Sequence, residues 1–410
     1  MSQNRRDFLK LTSAGVVAWG LNVPAFLNRA VAIAPDSGKP GGKDTVLVVI
    51  EFTGGNDGLN MVVPFNDDDY KKARPTLAIP ASQVKKIDDR IGLHPGMDGL
   101  AGLLQDGALC VMQGVGYPNS TESHFRSMDV WQTAAPDDFL TEGWLGKALK
   151  GMPGAPSFHL KTSNEKSPLA LEGAPVRVPS ITTLEEFQLQ TAAANGADGK
   201  NQRDVIEGSV KSKEGAGLLE FVQKTAADTY ASSRRLHEIG KNYQPKATYP
   251  NTPLATRLKL AAQLIDADLG ARIFYVSIDG FDTHAAQAAT HANLMTQVSG
   301  AMTAFYKDLA ARGHGDRVLM MTFSEFGRRV KENGSKGTDH GTAAPMLLVG
   351  GKVHAGLAGK YPSLSDLAMG NLKFTTDFRR VYATILDRWL GVASKDVLGA
   401  TYESVEIFKG

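Results

Sequence analysis

The chain has 410 residues, of which 42% are hydrophobic and 21% are charged, a balance that supports a packed core and excludes a disordered chain. The formal charge of +2 gives no electrostatic signature of binding to nucleic acid or to anionic lipid. The single cysteine, Cys110, excludes an intrachain disulfide and a zinc site built from cysteines.

The first 32 residues have the parts of an export signal. Paired arginines, Arg5 and Arg6, precede a mildly apolar stretch at residues 11–21, and the small residues 30–32 form a cleavage pattern. The apolar stretch is too short to span a bilayer comfortably, which counts against a membrane anchor. We therefore predict a twin-arginine signal over residues 1–32 and a linker over residues 33–44. The mature protein would leave through the twin-arginine export machinery for the periplasm or the medium, with no stable membrane span.

Five apolar runs predict the strands of a buried sheet. Their near-continuous apolar character is typical of strands covered on both faces in a parallel sheet. The runs are residues 45–52, 108–112, 272–278, 318–323 and 346–349. Helical patterns lie between them, so we predict one α/β domain over residues 45–410. A looser segment at about 155–253 is predicted to be an insertion that forms a cap over the site.

Acidic and histidine side chains follow these strands where the strands end. The carboxyl ends of parallel strands meet at one edge of a sheet, where α/β folds bind ligands. We therefore expect a metal centre there, since buried carboxylates without a partner are costly. The candidate ligands are Glu51, Asp57, Asp279, Asp282, His284, Glu325, Asp339 and His340.

Two other interpretations of these residues stay open. The Gly-Gly-Asn-Asp-Gly segment at residues 54–58 is also good turn chemistry, because glycine and asparagine accept the backbone angles of tight turns. Arg328 and Arg329 with Asp339 could form a salt-bridge network under the loop instead of contributing to a metal site.

Hydroxyl side chains gather at residues 120–123, just before a predicted helix. Ser120, Thr121 or Ser123 could cap the helix by accepting hydrogen bonds from its free amides. The same amides also stabilise an anion, with His124 and Arg126 one turn away, so a hydroxyl here is equally a candidate nucleophile.

Several motifs in order along the chain resemble one family. They are GGNDG followed by VVP, SHFRSMDVWQTA, GFDTH, TFSEFGRR and GTDHGTAAPM, and they resemble the DUF1501 family of exported proteins. That family is similar to a branch of the alkaline phosphatase and sulfatase superfamily. The resemblance implies a doubly wound, mostly parallel sheet with helices on both faces and a metal centre at the carboxyl ends of its strands.

The resemblance also implies a role for each polar cluster. Glu51 matches the metal-binding carboxylate of the first strand, a hydroxyl within residues 120–123 matches the nucleophile, and His340 matches the last metal histidine. Asp279 or Asp282, together with His284, matches an Asp/His metal pair, and Ser324-Glu325-Phe326-Gly327 matches a Ser-Asp-His-Gly segment. Phe326 departs from that pattern, because phenylalanine cannot bind metal.

We therefore predict an exported metal-dependent hydrolase of small phosphate or sulfate esters. A divalent metal, zinc first and calcium, magnesium or manganese as alternatives, would activate a bound hydroxyl and shield the anionic ester. Arg126 or Arg328 would bind the ester oxygens through paired hydrogen bonds. The alternative, favoured by Phe326, is a non-catalytic exported binding or assembly protein with a degenerate metal centre.

Overall fold

The chain forms two compact units, and a computed structural model describes residues 45–163, 165–184 and 238–409. The larger unit contains residues 40–182, 244–266 and 271–410, and the smaller unit contains residues 1–39, 183–243 and 267–270. The predicted signal, the linker and residues 185–237 of the predicted insertion lie outside the described residues. Every helix and strand named below belongs to the larger unit.

A nine-stranded sheet is the centre of the larger unit. Its strands are β1 (Val46–Thr53), β2 (Leu109–Gly116), β3 (Ser157–Leu160), β4 (Ser180–Ile181), β5 (Ile273–Asp279), β6 (Val318–Ser324), β7 (Ala344–Val349), β8 (Gly356–Ala358) and β9 (Thr376–Asp377). Their order across the sheet is β8-β2-β7-β6-β1-β5-β3-β4, and β9 also pairs with β2. All pairs are parallel except those that β7 makes with β2 and β6. The predicted mostly parallel α/β sheet is confirmed.

The burial of strand β1 explains why its sequence is almost continuously apolar. Leu47 and Val49 lie on one face in a core cluster with Trp144. The alternate residues Val48 and Ile50 are also fully buried. Because successive side chains of a strand point to opposite faces, both faces of β1 are covered, as the parallel-sheet pattern predicted.

Nine α-helices surround the sheet among the described residues. They are α1 (Gly58–Met61), α2 (Asp68–Ala73), α3 (Asp98–Gln105), α4 (His124–Thr133), α5 (Trp144–Lys150), α6 (Pro253–Asp266), α7 (Gln287–Ala310), α8 (Phe378–Ile385) and α9 (Ser394–Leu398). A π-helical turn, Leu386–Leu390, continues α8, and a 3₁₀ turn spans Leu169–Leu171. Small sheets join Val62–Val63, Lys85–Lys86 and Gly92–Leu93, and Leu367–Ala368 with Asn371–Leu372.

The described part of the predicted insertion contributes to the sheet itself. Strand β3 pairs with β5, and β4 pairs with β3. Both strands fall inside residues 155–253, so the chain between residues 157 and 181 extends the sheet at the β5 side. The cap predicted over residues 155–253 as a whole stays a prediction.

The direction of β7 places the chain before it at the functional edge. In a parallel strand, the preceding residues would lie at the opposite edge of the sheet. Because β7 runs antiparallel to β6, its first residue, Ala344, lies at the edge where β6 ends. The loop at residues 339–341 is therefore close to the loops that follow β1, β5 and β6.

Candidate metal centre

Loops from three strands and the start of one helix meet at this edge. The loop after β5 carries Asp282 and His284, and the loop before β7 carries His340. Helix α4 begins at His124. The close approach depends on Gly54, whose φ is +117° and where an added Cβ would lie 2.4 Å from the backbone nitrogen of Asp282. Glycine tolerates both that angle and that contact.

Four side-chain atoms converge on one point. The Oδ1 atom of Asp282 lies 3.0 Å from Nε2 of His284, 3.4 Å from Nε2 of His340 and 3.6 Å from Nε2 of His124. The Nε2 atoms of His284 and His340 are 2.9 Å apart. Ligand atoms bound tetrahedrally to zinc at its usual bond lengths are about 3.3 Å apart. The ligand atoms of His124, Asp282 and His340 all lie within 4.8 Å of one another, which suits a single ion, and His284 lies beside Asp282 and His340.

Each of the three imidazoles has its other nitrogen held by an acceptor. The Nδ1 atoms of His124, His284 and His340 lie 2.8 Å, 3.4 Å and 2.8 Å from the Glu325 carboxylate, the Asp339 carboxylate and the Glu122 carbonyl, respectively. A proton on each Nδ1 satisfies these acceptors and leaves the Nε2 lone pair directed at the centre. This is the arrangement that fixes metal-binding histidines in proteins.

Arg328 holds the loops around the centre. Its buried guanidinium donates to the carbonyls of Gly54, Gly55, Phe281 and Thr338, and its Nη1 lies 3.4 Å from Nε2 of His284. Its Nη2 also donates to Oδ1 of Asp282 at 2.7 Å, an oxygen with more than one lone pair. These acceptors occupy the N–H donors that sequence analysis assigned to ester oxygens. Arg328 is thus placed as a positioning residue.

The ion pair with Arg328 also sets the charge of Asp282. Partial burial by itself raises the pKa of this carboxyl, but the hydrogen bond and positive charge of Arg328 outweigh burial, so the pKa lies below its usual value. Asp282 therefore remains an anion at neutral pH, as a metal ligand must be.

Phe326 fills the position where a further metal histidine was expected. Its buried ring lies 4.9 Å from the ring of His124 and 4.7 Å from that of His340, measured between ring centroids. The hydrocarbon ring supports two of the imidazoles and supplies no donor. Among the described residues, the one metal-ligating cluster of histidine and acidic groups is that of His124, Asp282 and His340, which His284 joins through the distances above.

Glu51 and Asp279 are directed to a different part of the sheet edge. Glu51 accepts hydrogen bonds from Tyr275, from Gln132 at 2.9 Å and from Thr53 at 3.0 Å. Burial raises the pKa of Glu51 to about 7, although these hydrogen bonds oppose the shift. Glu51 and Asp279 both line a separate cavity. The structure does not bring either carboxylate into the histidine cluster.

Asp57 is likewise held elsewhere, in a buried ion pair. Its Oδ2 lies 2.5 Å from Nη1 of Arg74, with both side chains fully buried, and Gln287 donates to the same oxygen. Burial alone raises the pKa of Asp57, but Arg74 reverses the shift and the pKa is lowered. The carboxylate is therefore neutralised by arginine, which explains its burial without a metal ion.

The remaining acids support the histidines. Glu325 accepts from the amide of Gly54 at 2.8 Å and from Ser324 Oγ at 2.9 Å, besides its contact with His124. Asp339 accepts from Asn333 at 3.0 Å as well as contacting His284. Both were predicted as ligands, and the structure places them one shell further out, where they orient imidazoles.

The hydroxyl segment borders the centre through its backbone. The carbonyl of Glu122 contacts His340, and Thr121 Oγ1 accepts from the amide of Ser123. Ser123 is the N-cap residue of α4 and is exposed; among the described residues its side chain makes no capping hydrogen bond. Ser120 is half-buried and lies three residues before Ser123. Thr121 thus holds the turn before the helix, and the choice of a nucleophile in this segment stays a prediction.

Arg126 and Arg329 lie near the start of helix α4, and their side chains are held differently. Arg126 donates to the carbonyl of Pro136 and lies over the ring of Phe139. Arg329, by contrast, has a side chain that is 41% exposed, lies 3.6 Å from Glu122 and donates to the carbonyl of His340. Adjacent residues of an extended segment point to opposite sides, so Arg328 is buried while Arg329 faces the open side.

Sequence analysis did not include His124 among the ligands. It assigned this residue to an anion site, because His124 does not directly follow a strand and a histidine at the start of a helix has many roles. The available signal was its place directly after the hydroxyl segment, which the resemblance had already linked to the nucleophile.

Comparison with protein families shows to which family the chain belongs. The family described as "Protein of unknown function (DUF1501)" matches residues 44–400. The chain belongs to the DUF1501 family. A search of curated protein sequences gave no match. Among the described residues of this DUF1501 protein, no helix is both long and apolar enough to cross a membrane.

Solved structures with similarity to this DUF1501 protein share little sequence with it. The zinc complex of the C-terminal periplasmic domain of EcEptC from Escherichia coli is 12% identical, with a TM-score of 0.37 and coverage of 75% of this chain and 74% of that one. The lipoteichoic acid synthase LtaP from Listeria monocytogenes is 9% identical, with a TM-score of 0.39 and coverage of 93% and 81%. The PsFucS1 sulfatase from Pseudoalteromonas sp. is 11% identical, with a TM-score of 0.39 and coverage of 90% and 71%. Similarity at this level does not indicate an activity, which has to be derived from the residues of the site.

We expect Asp57→Ala to lower the free energy of unfolding by about 3–5 kcal/mol, because it leaves the buried Arg74 charge without a partner. The metal content should not change. Urea unfolding and elemental analysis of the purified protein measure both quantities. Asp68→Ala, which removes an exposed partner of Lys71, is the matched control and should cost no more than about 0.5 kcal/mol. Loss of metal with unchanged stability would instead make Asp57 a ligand.

The raised pKa of Glu51 predicts a pH-dependent stability. The pKa rises from 4.5 to about 7 on folding, so the folded protein binds this proton more tightly than the unfolded chain. The free energy of unfolding therefore falls as the pH rises through that interval, by about 3 kcal/mol. The free energy of unfolding of Glu51→Gln should not fall in this way. Measured by urea unfolding, its difference from the wild type should shift in favour of the variant between about pH 4 and pH 8. Glu403→Gln, at an exposed site, should show the same pH dependence as the wild type. If Glu51→Gln differs from the wild type by the same free energy of unfolding at both pH values, the pKa of Glu51 is not raised.

Proposed function

We propose that this DUF1501 protein is an exported, metal-dependent hydrolase of phosphate or sulfate esters. Its metal ligands would be His124, Asp282, His284 and His340. The observation that carries this function is the convergence of three Nε2 atoms on one carboxylate oxygen, 3.0–3.6 Å away. The export route is the twin-arginine pathway that the first 32 residues predict.

The contact between two imidazoles supports a cation at this point. With the proton of each ring on Nδ1, which faces an acceptor, the Nε2 atoms of His284 and His340 would present lone pairs 2.9 Å apart. A metal ion bound by both would stabilise this arrangement. Three imidazoles and one carboxylate are the ligands that zinc prefers, whereas calcium and magnesium prefer oxygen ligands.

A bound divalent ion would lower the pKa of a hydroxyl and shield the charge of the ester. The residues around it would do the rest. Ser123, exposed beside His124, would attack phosphorus or sulfur through its hydroxyl, and the alcohol of the ester would leave with the proton. Water would then displace the serine oxygen, which releases phosphate or sulfate and restores Ser123. The first amides of α4 and the guanidinium of Arg329 would hold the non-bridging oxygens, since both present N–H donors to an anion. Glu325 and Asp339 would keep the imidazoles in place.

Phe326 supports a second candidate function, a non-catalytic metal-binding or assembly protein. Its ring supplies no donor where a further histidine was expected, and it closes the space between His124 and His340. A single ion in such a site would serve structure or recognition. This candidate differs from the first in one property, the turnover of an ester by the metal-loaded protein.

Metal content tests the centre directly. We expect the dialysed full-length protein to retain about one equivalent of zinc, because the four donor atoms surround one point. His340→Ala and His284→Ala should each lose most of it, while His354→Ala, an exposed histidine elsewhere, should keep it. Elemental analysis after reloading with zinc, manganese, magnesium or calcium provides the measurement. Retention of metal by both centre variants would place the ion at another site.

Ester hydrolysis separates the two candidate functions. With p-nitrophenyl phosphate and p-nitrophenyl sulfate, we expect the zinc-loaded wild type to turn over at least one ester. Ser123→Ala should lower kcat on the order of 10²-fold or more while keeping its zinc. Ser120→Ala and Thr121→Ala should retain most of the activity. A larger loss in either of these variants would move the nucleophile there, and a loaded wild type without turnover on a wide set of both ester classes would leave the non-catalytic candidate.

A further inference from the structure

A second cavity opens beside the histidine cluster. It has a volume of about 560 Å³ and lies over the carboxyl ends of β1 and β5, next to the start of α6. Sites for small molecules commonly have volumes of about 300–1,000 Å³. The cavity is therefore large enough for a ligand, and neither the metal ligands nor Ser123 lie in its wall.

Helix α4 connects this cavity to the centre. Its first residue, His124, belongs to the histidine cluster, and its ninth residue, Gln132, lines the cavity. A rise of 1.5 Å per residue puts them roughly 12 Å apart along the helix axis. The separation along this helix is therefore within the length of a molecule of a few rings.

Charges of both signs line the cavity. Three carboxyl side chains, those of Glu51, Glu165 and Asp279, share the wall with the cations of Arg257 and Lys166. Burial alone raises the pKa of Glu165, but its hydrogen bonds with His159, Ser277 and the amide of Thr162 lower it to about 2. Hydroxyl and amide groups of Thr53, Ser277, Gln132 and Gln297 lie among the charges.

This mixture excludes several classes of ligand. A purely anionic ligand would be repelled by the carboxylates of Glu165 and Asp279, and a purely cationic ligand by Arg257 and Lys166. An apolar ligand would remove these charges from water without replacing their hydrogen bonds, which is costly. A molecule whose groups both donate and accept, repeatedly and without net charge, satisfies acceptors and donors together.

Arg257 adds an observation that points to a ligand. Its side chain is more than nine-tenths buried and lines the cavity. Its contacts within the described residues use Nε, which donates to Pro253, and Nη1, which lies 3.5 Å from both Leu160 and Glu165. Its Nη2 has no such contact among the described residues. This amino group is not among the buried side-chain atoms without a partner, so it is accessible from the cavity that Arg257 lines and can donate to a ligand there.

We propose that this cavity binds a polyhydroxylated, sugar-like molecule. Hydroxyl groups would accept from Arg257 and Gln297 and donate to the carboxylates of Glu165 and Asp279. If the hydrolase function above is correct, on which this step rests, the bound molecule is the organic part of the ester, whose phosphate or sulfate reaches the histidine cluster. The substrate class would then be sugar phosphates or sugar sulfates.

Binding of free sugars tests the cavity without using the metal centre. We would record saturation-transfer NMR of the full-length protein with glucose, galactose, mannose, fucose, xylose and N-acetylglucosamine, and with acetate and ethanolamine as anionic and cationic probes. At least one sugar should show transfer that falls fivefold or more in Gln297→Ala and in Gln297→Trp, which fills the cavity. Gln83→Ala, at an exposed site, should match the wild type, and thermal melts confirm that each variant folds. A third variant, Asp279→Asn, replaces either Gln297 variant that does not fold.

Each outcome decides the proposal. No transfer from any of the six sugars, transfer that the cavity variants leave unchanged, or cavity-dependent transfer from acetate or ethanolamine alone would overturn it. His340→Ala should bind the sugar as the wild type does, because it alters only the cluster. If the protein binds a sugar but hydrolyses no sugar phosphate or sulfate, the cavity is a sugar site and the hydrolase function is wrong. In an active protein, Gln297→Ala should raise KM for the sugar ester at least fivefold, whereas the exposed-site variant Gln83→Ala should leave that KM unchanged.

Discussion

The guanidinium of Arg328 is the interaction on which the edge of the sheet depends. It lies buried where the loops after β1, β5 and β6 meet, and it donates to carbonyls from residues 54, 55, 281 and 338 as well as to Asp282. Each buried carbonyl left without a donor costs about 1–3 kcal/mol. The planar, permanently charged group satisfies all of them at once, which lysine could not do. The loop after β5, which carries Asp282 and His284, is therefore held in position by Arg328 from the loop after β6.

The fold was largely readable from the sequence because burial on both faces leaves a strong pattern. Runs such as residues 45–52 and 272–278 carry almost no charge, and they became β1 and β5. The direction of β7 was not readable, since an apolar run looks the same whichever way the strand points. That direction decides whether the residues before it, His340 among them, lie at the functional edge or at the opposite one.

The sequence identified several residues of the site, but it did not predict where their side chains lie relative to one another. Asp282, His284 and His340 were identified from their place beside strands, and the structure brings them together. Glu51 and Glu325 both end strands, but the side chain of Glu51 lies on the face that carries Tyr275, whereas Glu325 turns towards His124. A shift of one residue reverses the face of a side chain, and sequence pattern does not fix positions to one residue at a strand end. For the same reason, sequence analysis assigned ester binding to Arg328, whose side chain is buried, and not to the exposed neighbour Arg329. His124 was missed as a ligand because its partners are distant in sequence and only the completed sheet brings them near.

The wide spacing of the histidine cluster along the chain has a consequence for assembly. Its members come from residue 124, residues 282–284 and residue 340, so nearly the whole larger unit must be in place before the four donor atoms meet. Closing such long loops is slow and entropically costly, and the donors gain nothing until it is complete. A chain interrupted anywhere between these positions presents at most part of the ligand set. In the proposed metal protein, affinity for the ion would therefore report on the completion of folding, which has to follow the synthesis of residue 340.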